Sequence, residues 1–231
     1  MDKLAPIPDL PLVAILRGLE PERAAEVAHA LFDAGLRIVE VPLNRPGALQ
    51  AIATIVRMAP RDALVGGGTM LSAADVDAVH AAGGRLMVAP NCDAAVIARA
   101  RRLGMLAMPG VATPTEAFAA LAAGADALKL FPAELLQPPV LKALRAVLPR
   151  AVKLLPVGGI TPQNLGPYVA AGGSGFGLGS ALYTPGDAAP VVAAQAQAFV
   201  DAWHRASAVT CARPRPRGTR RARPSCRRWR G

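Results

Sequence analysis

A single lysine stands inside an apolar run near the middle of the chain. Lys129 lies in Asp126-Ala127-Leu128-Lys129-Leu130-Phe131-Pro132, between Gly124 and Pro132. Four to eight apolar residues between such breakers are typical of a parallel strand that is buried on both faces. Burial favours the neutral form of an amine, and a neutral amine can attack a carbonyl carbon and form a Schiff base. The alternative interpretation is a lysine at the strand end that extends its amine into water.

A second ionisable side chain occupies an equally apolar run. Glu40 lies in Ile38-Val39-Glu40-Val41-Pro42-Leu43, where a carboxylate is costly unless it is paired or hydrogen-bonded. A structural ion pair with Lys129 or Arg17 would satisfy it. If Lys129 forms a Schiff base, Glu40 can instead move the protons of that chemistry as a general acid and base.

The elements that position these two residues follow a repeating order, in which short apolar runs alternate with helical segments. Strands are predicted at 12–16, 38–43, 63–66, 86–89, 106–108, around Lys129, at 152–157 and at 175–178. Helices are predicted at 20–34, 46–59, 72–82, 93–103, 113–123, 139–148 and 161–171, with a last helix ending near Ala206. Eight such units predict a single-domain (β/α)8 TIM barrel over residues 1–206, with its active site at the C-terminal ends of the strands.

The charge of the chain is concentrated at its end. The net charge is +10, but residues 207–231 hold nine arginines and no acid, which leaves 17 basic and 16 acidic side chains elsewhere. We expect 207–231 to be a disordered basic tail, because it has too little apolar surface to fold. Such a tail binds polyanions weakly and in a salt-sensitive way, so no specific nucleic-acid partner is expected. A protein that works through this tail would lose its function when the tail is deleted.

Three cysteines, Cys92, Cys211 and Cys226, form neither a disulfide framework nor a metal-binding spacing. The N-terminal residues show no apolar signal segment, and no apolar run approaches the ~20 residues of a membrane span. We therefore expect a cytoplasmic protein with no membrane association, no bound metal and no cofactor.

Polar and small residues follow the predicted strands, so the barrel would gather them at one mouth. Glycine-rich loops after the last two strands are typical phosphate-binding segments of barrels, because their amides can approach an anion closely. These loops contain Gly158 and Gly159 in one case and Gly179 and Ser180 in the other. Gly66-Gly67-Gly68 before Thr69 is a weaker signal, since glycines there could serve only a tight turn.

Eight short segments of the chain form a distinctive combination. They are Val13-Ala14-Ile15-Leu16-Arg17-Gly18, Val39-Glu40-Val41-Pro42-Leu43-Asn44, Gly66-Gly67-Gly68-Thr69, Ala89-Pro90-Asn91, Met108-Pro109-Gly110, Leu128-Lys129-Leu130-Phe131-Pro132, Pro156-Val157-Gly158-Gly159-Ile160 and Gly177-Leu178-Gly179-Ser180. Together they resemble one known family, the class I aldolases of 2-keto-3-deoxy-6-phosphosugar acids, and the resemblance covers Pro11 to about Ala206.

The resemblance implies a homotrimeric, metal-independent enzyme that reversibly cleaves its substrate to pyruvate and glyceraldehyde 3-phosphate. It implies that Lys129 forms the imine and Glu40 moves protons. It further implies pyruvyl-carboxylate binding by Arg17 and Thr69, pocket walls formed by Pro90 and Phe131, and phosphate binding by Gly158, Gly159, Gly179 and Ser180.

Two positions depart from the phosphogluconate-cleaving members of this family. Asn44 stands where those enzymes have arginine, and Val157 stands where they have threonine. Both are expected to face the sugar, so the sequence favours the galactonate-derived substrate over the gluconate-derived epimer or 4-hydroxy-2-oxoglutarate. An isomerase or synthase on a similar phosphate-binding barrel, without imine chemistry, is the alternative of another class.

Overall fold

The computed structural model describes residues 7–212, in which parallel strands alternate with helices. The strands are β1 (Leu12–Ile15), β2 (Ile38–Pro42), β3 (Leu64–Gly68), β4 (Leu86–Val88), β5 (Leu106–Met108), β6 (Gly110–Val111), β7 (Ala127–Leu130), β8 (Lys153–Pro156) and β9 (Phe176–Leu178). The helices are α1 (Ala24–Asp33), α2 (Ala48–Met58), α3 (Ala73–Ala81), α4 (Ala94–Arg102), α5 (Pro114–Ala122), α6 (Pro138–Val147), α7 (Leu165–Ala170) and α8 (Ala189–Ala212). A 3-10 turn at Pro21–Arg23 precedes α1.

The strands curl into an arrangement of the TIM-barrel type, in which they pair as two parallel sheets. Six strands pair in the order β5-β4-β3-β2-β1-β9, and three pair in the order β6-β7-β8. The predicted fifth strand is present as β5, and Pro109, which has no N–H to donate, separates it from the short strand β6, which was not predicted. The predicted alternation of parallel strands and helices in one domain is confirmed, and β6 is a short strand in addition to the eight that were predicted.

The two sheets contact each other at both edges. On one side the Asp126 N–H donates to the Ala107 carbonyl at 2.9 Å, and the Lys129 N–H donates to the Pro109 carbonyl at 3.0 Å. On the other side a parallel bridge joins Val157 to Gly177. The strand of Lys129 is therefore held between its neighbours on both sides.

Side chains at the N-terminal ends of the strands anchor this arrangement. The Asp126 carboxylate accepts hydrogen bonds from the Ala107 N–H at 2.8 Å and from Arg101 at 2.7 Å, which fixes the start of β7 against β5. Arg145 donates to the Val152 carbonyl at 2.6 Å and to the Ser174 hydroxyl at 2.7 Å, and so joins the segments that enter β8 and β9. These contacts lie at the end of the strands opposite to the predicted site.

Local sequence sets the helix boundaries close to where they were predicted. At α3 the Ser72 hydroxyl accepts the Asp75 N–H at 3.2 Å, and the Asp75 carboxylate accepts the Ser72 N–H at 2.9 Å, which makes a capping box. Thr113 and Glu116 form the same motif at α5. The last helix runs to Ala212 rather than ending near Ala206, so the first six residues of the predicted tail are helical. The remainder of that tail lies outside the described residues.

Apolar side chains pack in two layers, one between strands and helices and one inside the curled sheet. Alternate residues of each strand enter the inner layer, which includes Val13, Ile15, Ile38, Ala127 and Leu155. No helix within residues 7–212 is both long enough and apolar enough to cross a membrane.

Gly66 allows β3 and β4 to approach closely, because a Cβ at this position would overlap the main chain of Leu86. We expect Gly66→Ala to lower the free energy of unfolding by about 3 kcal/mol, since strand backbones cannot move aside as a side chain can. Gly166→Ala is the matched control. A Cβ there meets no atom within contact distance, and alanine in α7 should raise stability by up to about 1 kcal/mol. Urea unfolding of both variants measures the difference, and equal stability of the two would contradict this account.

Candidate active site

The C-terminal ends of the strands surround a cavity of about 260 Å³. Eleven of the twelve side chains and loop residues predicted for the site line it: Arg17, Glu40, Thr69, Pro90, Lys129, Phe131, Val157, Gly158, Gly159, Gly179 and Ser180. They come from seven parts of the sequence, and the curled sheet brings them to one mouth. The cavity is therefore the candidate active site.

Strand alternation places Lys129 and Glu40 inside the sheet. Lys129 follows the inward-facing Ala127 by two residues, and Glu40 follows the inward-facing Ile38 by two residues. Lys129 is 7% exposed and Glu40 is 2% exposed. Among residues 7–212 they are the only charged side chains that are fully buried. The lysine amine lies 5.2 Å from the centre of the Phe131 ring, within the range of a cation–π contact.

Burial dominates the electrostatics of Glu40. Loss of water raises the pKa of its carboxyl, and the positive charges of Lys129 and Arg17 oppose that rise only in part. Within residues 7–212 no hydrogen bond or ion pair reaches this carboxylate, and its Oε2 atom is buried without a partner. Glu40 therefore does not form the direct structural ion pair with Lys129 or Arg17 that was the alternative interpretation. A carboxyl with a raised pKa and a free oxygen is suited to exchanging protons with a bound molecule.

The glycine triplet has a different role from either one considered for it. Gly66, Gly67 and Gly68 are strand residues of β3, not a tight turn or an anion loop. A Cβ on Gly68 would overlap Oε1 of Glu40. Gly68 therefore provides the space in which the Glu40 side chain lies, and no other residue type could occupy this position without displacing the carboxylate.

Thr69 follows the triplet with φ of 55°, the only non-glycine residue with positive φ among those that the structure describes. A threonine in this left-handed region is strained, because its branched side chain crowds the backbone. The conformation places Thr69 in the wall of the cavity.

The loop after β8 adopts a conformation that requires glycine. Gly158 and Gly159 have φ of 112° and 60°. Asn164 closes the loop, because its side chain accepts the Thr161 N–H at 2.9 Å and donates to the Gly159 carbonyl at 2.7 Å. In the turn after β9, the Gly179 carbonyl accepts the N–H groups of Leu182 and Tyr183 at 2.9 and 3.1 Å. Both loops present main chain to the cavity.

Asn44 is the one predicted site residue that the structure does not bring into the cavity. The strand β2 ends at Pro42, and Asn44 lies exposed in the bend that leads to α2. Its proposed contact with the sugar stays a prediction.

The cavity also contains residues that sequence reasoning missed: Ile15, Glu134, Ile160, Thr161 and Ala181. Glu134 is the most informative of these, because it adds a second carboxylate. It lies five residues after Lys129 in the loop that leaves β7. The strand-end rule that selected Asn44 and Thr69 would have found it if the rule had been extended through this loop.

The family model for KDPG and KHG aldolase matches residues 5–190. The chain is 49% identical over 205 residues to a protein of Rhizobium meliloti named probable 2-dehydro-3-deoxy-6-phosphogalactonate aldolase, covering 88% of this chain and 96% of the relative. It is 48% identical over 197 residues to the 2-dehydro-3-deoxy-6-phosphogalactonate aldolase of Escherichia coli, covering 85% and 96%.

Solved structures show the same similarity. Native KDPGal superposes with a TM-score of 0.85 at 47% identity, covering 87% of this chain and 98% of that one. The KDPG aldolase of Legionella pneumophila, with pyruvate captured at low pH as a covalent carbinolamine intermediate, superposes with a TM-score of 0.74 at 29% identity, covering 82% and 94%.

The raised pKa of Glu40 predicts how stability depends on pH. The folded protein holds this proton more tightly than the unfolded chain, so the stabilising contribution is full below the ordinary glutamate pKa and is lost as pH rises through the raised value. Glutamine does not titrate. We therefore expect Glu40→Gln to gain stability over the parent as pH rises from about 4 to about 8, by about 1 to 3 kcal/mol, the cost of an unsatisfied buried polar group.

Urea unfolding at a series of pH values measures this difference, and Glu116→Gln is the control of opposite sign. A hydrogen bond from the main chain of Ala112 lowers the pKa of Glu116, so this variant should lose stability relative to the parent as pH rises towards the ordinary glutamate pKa, and the difference should stay constant above it. A Glu40→Gln protein that is less stable than the parent at every pH would instead indicate a broken ion pair.

Proposed function

The chain belongs to the KDPG and KHG aldolase family, and we propose that it reversibly cleaves 2-dehydro-3-deoxy-6-phosphogalactonate to pyruvate and glyceraldehyde 3-phosphate. The observation that carries the proposal is the buried Lys129, which shares a cavity with a buried carboxylate and two glycine loops. The reaction is that of a class I aldolase, a carbon–carbon lyase that works through a Schiff base.

Lys129 supplies the electron sink. Its neutral amine attacks the keto carbon of the substrate, and loss of water from the carbinolamine gives a protonated imine. The imine withdraws electrons when the bond between C3 and C4 breaks, so that the pyruvyl fragment becomes an enamine and the remainder leaves as an aldehyde. Protonation of C3 and hydrolysis of the imine then release pyruvate and restore the amine.

Glu40 moves two protons in this cycle. During cleavage it takes the proton of the C4 hydroxyl, through a water molecule, and it later helps to return a proton to C3 of the enamine. A carboxyl must both accept and donate in this sequence, so the raised pKa of Glu40 suits the task.

The remaining cavity residues bind the two ends of the substrate. Arg17 and Thr69 hold the pyruvyl carboxylate, and Pro90 and Phe131 form the walls beside the imine. The main-chain groups of the two glycine loops, together with Ser180, hold the phosphate.

We further propose three features of the molecule around this site. The two sheets form one closed (β/α)8 barrel, which the hydrogen bonds between them support. Residues 1–206 are the aldolase domain and 207–231 are an accessory tail, although the helix at 207–212 belongs structurally to the domain.

The protein is a homotrimer, as the family resemblance implies, and exposed apolar side chains such as Leu71 and Phe118 offer surface for it. A cytoplasmic location stays a prediction.

Borohydride trapping tests the nucleophile. Incubation with pyruvate and borohydride should add a reduced three-carbon group to Lys129, and Lys129→Ala should lose both the adduct and essentially all cleavage, because no other group provides the electron sink. Mass spectrometry locates the adduct. Lys142 and Lys153 are exposed, so Lys142→Ala and Lys153→Ala are matched controls that should behave like the parent.

Glu40→Gln separates imine formation from proton transfer in the same assay. It should still form the adduct but turn over roughly a hundredfold more slowly. An adduct on an exposed lysine, with Lys129→Ala active, would refute the assignment. Absence of both the adduct and cleavage in the folded parent would point to the isomerase or synthase alternative.

Val157→Thr tests the choice between the epimeric substrates. Val157 is buried in the cavity wall and offers no hydrogen bond, so an epimer whose C4 hydroxyl points at it loses about 1 to 3 kcal/mol, roughly ten to a hundredfold in efficiency. We expect the parent to prefer the galactonate-derived substrate and Val157→Thr to gain relative activity on the gluconate-derived epimer. Equal efficiency on both epimers, unchanged in the variant, would exclude this position as the determinant. The phosphogluconate activity is the alternative that this assay measures, and pyruvate release from 4-hydroxy-2-oxoglutarate measures the remaining one.

A further inference from the structure

Glu134 places a second carboxylate in the active-site cavity, and the mechanism above does not use it. Its main chain is held firmly. The N–H of the preceding Ala133 donates to the Val157 carbonyl at 2.8 Å, and the Tyr168 hydroxyl donates to the Ala133 carbonyl at 2.9 Å. The carbonyl of Glu134 itself accepts the Gln137 side chain at 2.8 Å. The backbone at this position is therefore fixed at the mouth of the cavity.

Glu134 is exposed, and its carboxylate is unpaired, in contrast to its main chain. Among residues 7–212 it makes no hydrogen bond and no ion pair. It packs against Gly158 and Gly159, where a Cβ on Gly158 would overlap Oε2 and a Cβ on Gly159 would lie 3.1 Å from Cγ. These two glycines accordingly leave room for the Glu134 side chain as well as for a ligand.

The pairing register of β7 and β8 gives the order in which residues follow one another along the cavity wall, from the imine end to the phosphate end. Lys129 pairs with Leu155, and the Ala133 N–H bonds to Val157 two residues further towards the mouth. Glu134 and Gly158 lie one residue further along this wall. If Val157 borders C4 of the substrate, Glu134 borders C5, the carbon between C4 and the phosphate-bearing C6.

The chemistry of a carboxylate then restricts what it can bind there. An ionised carboxylate only accepts hydrogen bonds, and phosphate oxygens above the second phosphate pKa near 6 are also acceptors only. Glu134 therefore gains nothing from the phosphate. The donor that the substrate offers at this level is the C5 hydroxyl, which corresponds to the C2 hydroxyl of glyceraldehyde 3-phosphate.

We propose that Glu134 is a specificity-determining residue whose carboxylate accepts a hydrogen bond from the C5 hydroxyl of the substrate. The proposal rests on the proposed aldolase function. It assigns to this loop the selection of 2-hydroxyaldehyde phosphates over aldehyde phosphates that lack the hydroxyl, because the deoxy compound cannot make this charge-assisted hydrogen bond.

The test compares two aldehydes in the condensation direction at pH 8 with saturating pyruvate. The aldehydes are D-glyceraldehyde 3-phosphate and 3-phosphooxypropanal, which lacks only the C2 hydroxyl. We expect the parent to favour the hydroxylated aldehyde in kcat/KM by roughly tenfold or more. Glu134→Ala should lower kcat/KM for that aldehyde about tenfold and leave the deoxy aldehyde unchanged. Glu134→Gln retains an acceptor oxygen and should fall between the two proteins.

Glu22→Gln removes an equal charge from an exposed position outside the cavity and should match the parent on both aldehydes. Equal losses on both aldehydes in Glu134→Ala would overturn the proposal in favour of a structural role. Equal gains would indicate simple repulsion of the phosphate, and no change would show that Glu134 does not contact the substrate. Pyruvate–borohydride trapping on Lys129 in each variant separates these outcomes from a failure of the aldolase function, which would abolish the adduct in the parent as well.

Discussion

This molecule depends on one constraint. Its fold must remove one carboxylate and one amine from water at the same end of an apolar interior. Glu40 and Lys129 project into a layer otherwise filled by aliphatic side chains, and no direct ion pair offsets the desolvation of Glu40. The burial of a charge costs several kcal/mol, and favourable interactions in the rest of the fold must offset this cost. A chain with 52% hydrophobic residues and two packed layers provides that support. The same burial raises the pKa of Glu40, which suits this carboxyl to carrying protons.

Stability and chemistry are placed at opposite ends of the strands. The salt bridge of Asp126 with Arg101 and the hydrogen bonds of Arg145 lie where the strands begin, and they fix β7, β8 and β9 in register. Each strand then delivers its last inward side chain to the mouth by simple alternation. The residues at the mouth can therefore be unpaired or strained, as Glu40 and Thr69 are, because the register that positions them is secured elsewhere.

The sequence predicted the alternating architecture because apolar strands bounded by glycine and proline are local signals. It predicted Lys129 and Glu40 because a charge in such a run is conspicuous. Other features depend on contacts between distant segments. The role of Gly68 is visible only when β2 lies beside β3, and the cavity position of Glu134 only when its loop packs on Gly158. The short strand β6 after Pro109 and the continuation of α8 through residues 207–212 were missed because periodicity locates the ends of elements poorly.

The contact between Gly68 and Glu40 couples the residue types that are allowed at two positions 28 residues apart in the sequence. A side chain at position 68 is incompatible with the carboxylate at position 40, so any larger residue at position 68 displaces the catalytic carboxyl. Homologous chains that keep the glutamate should therefore also keep the glycine. Libraries that vary position 68 alone would recover only glycine, and a side chain there is accessible only when position 40 varies with it.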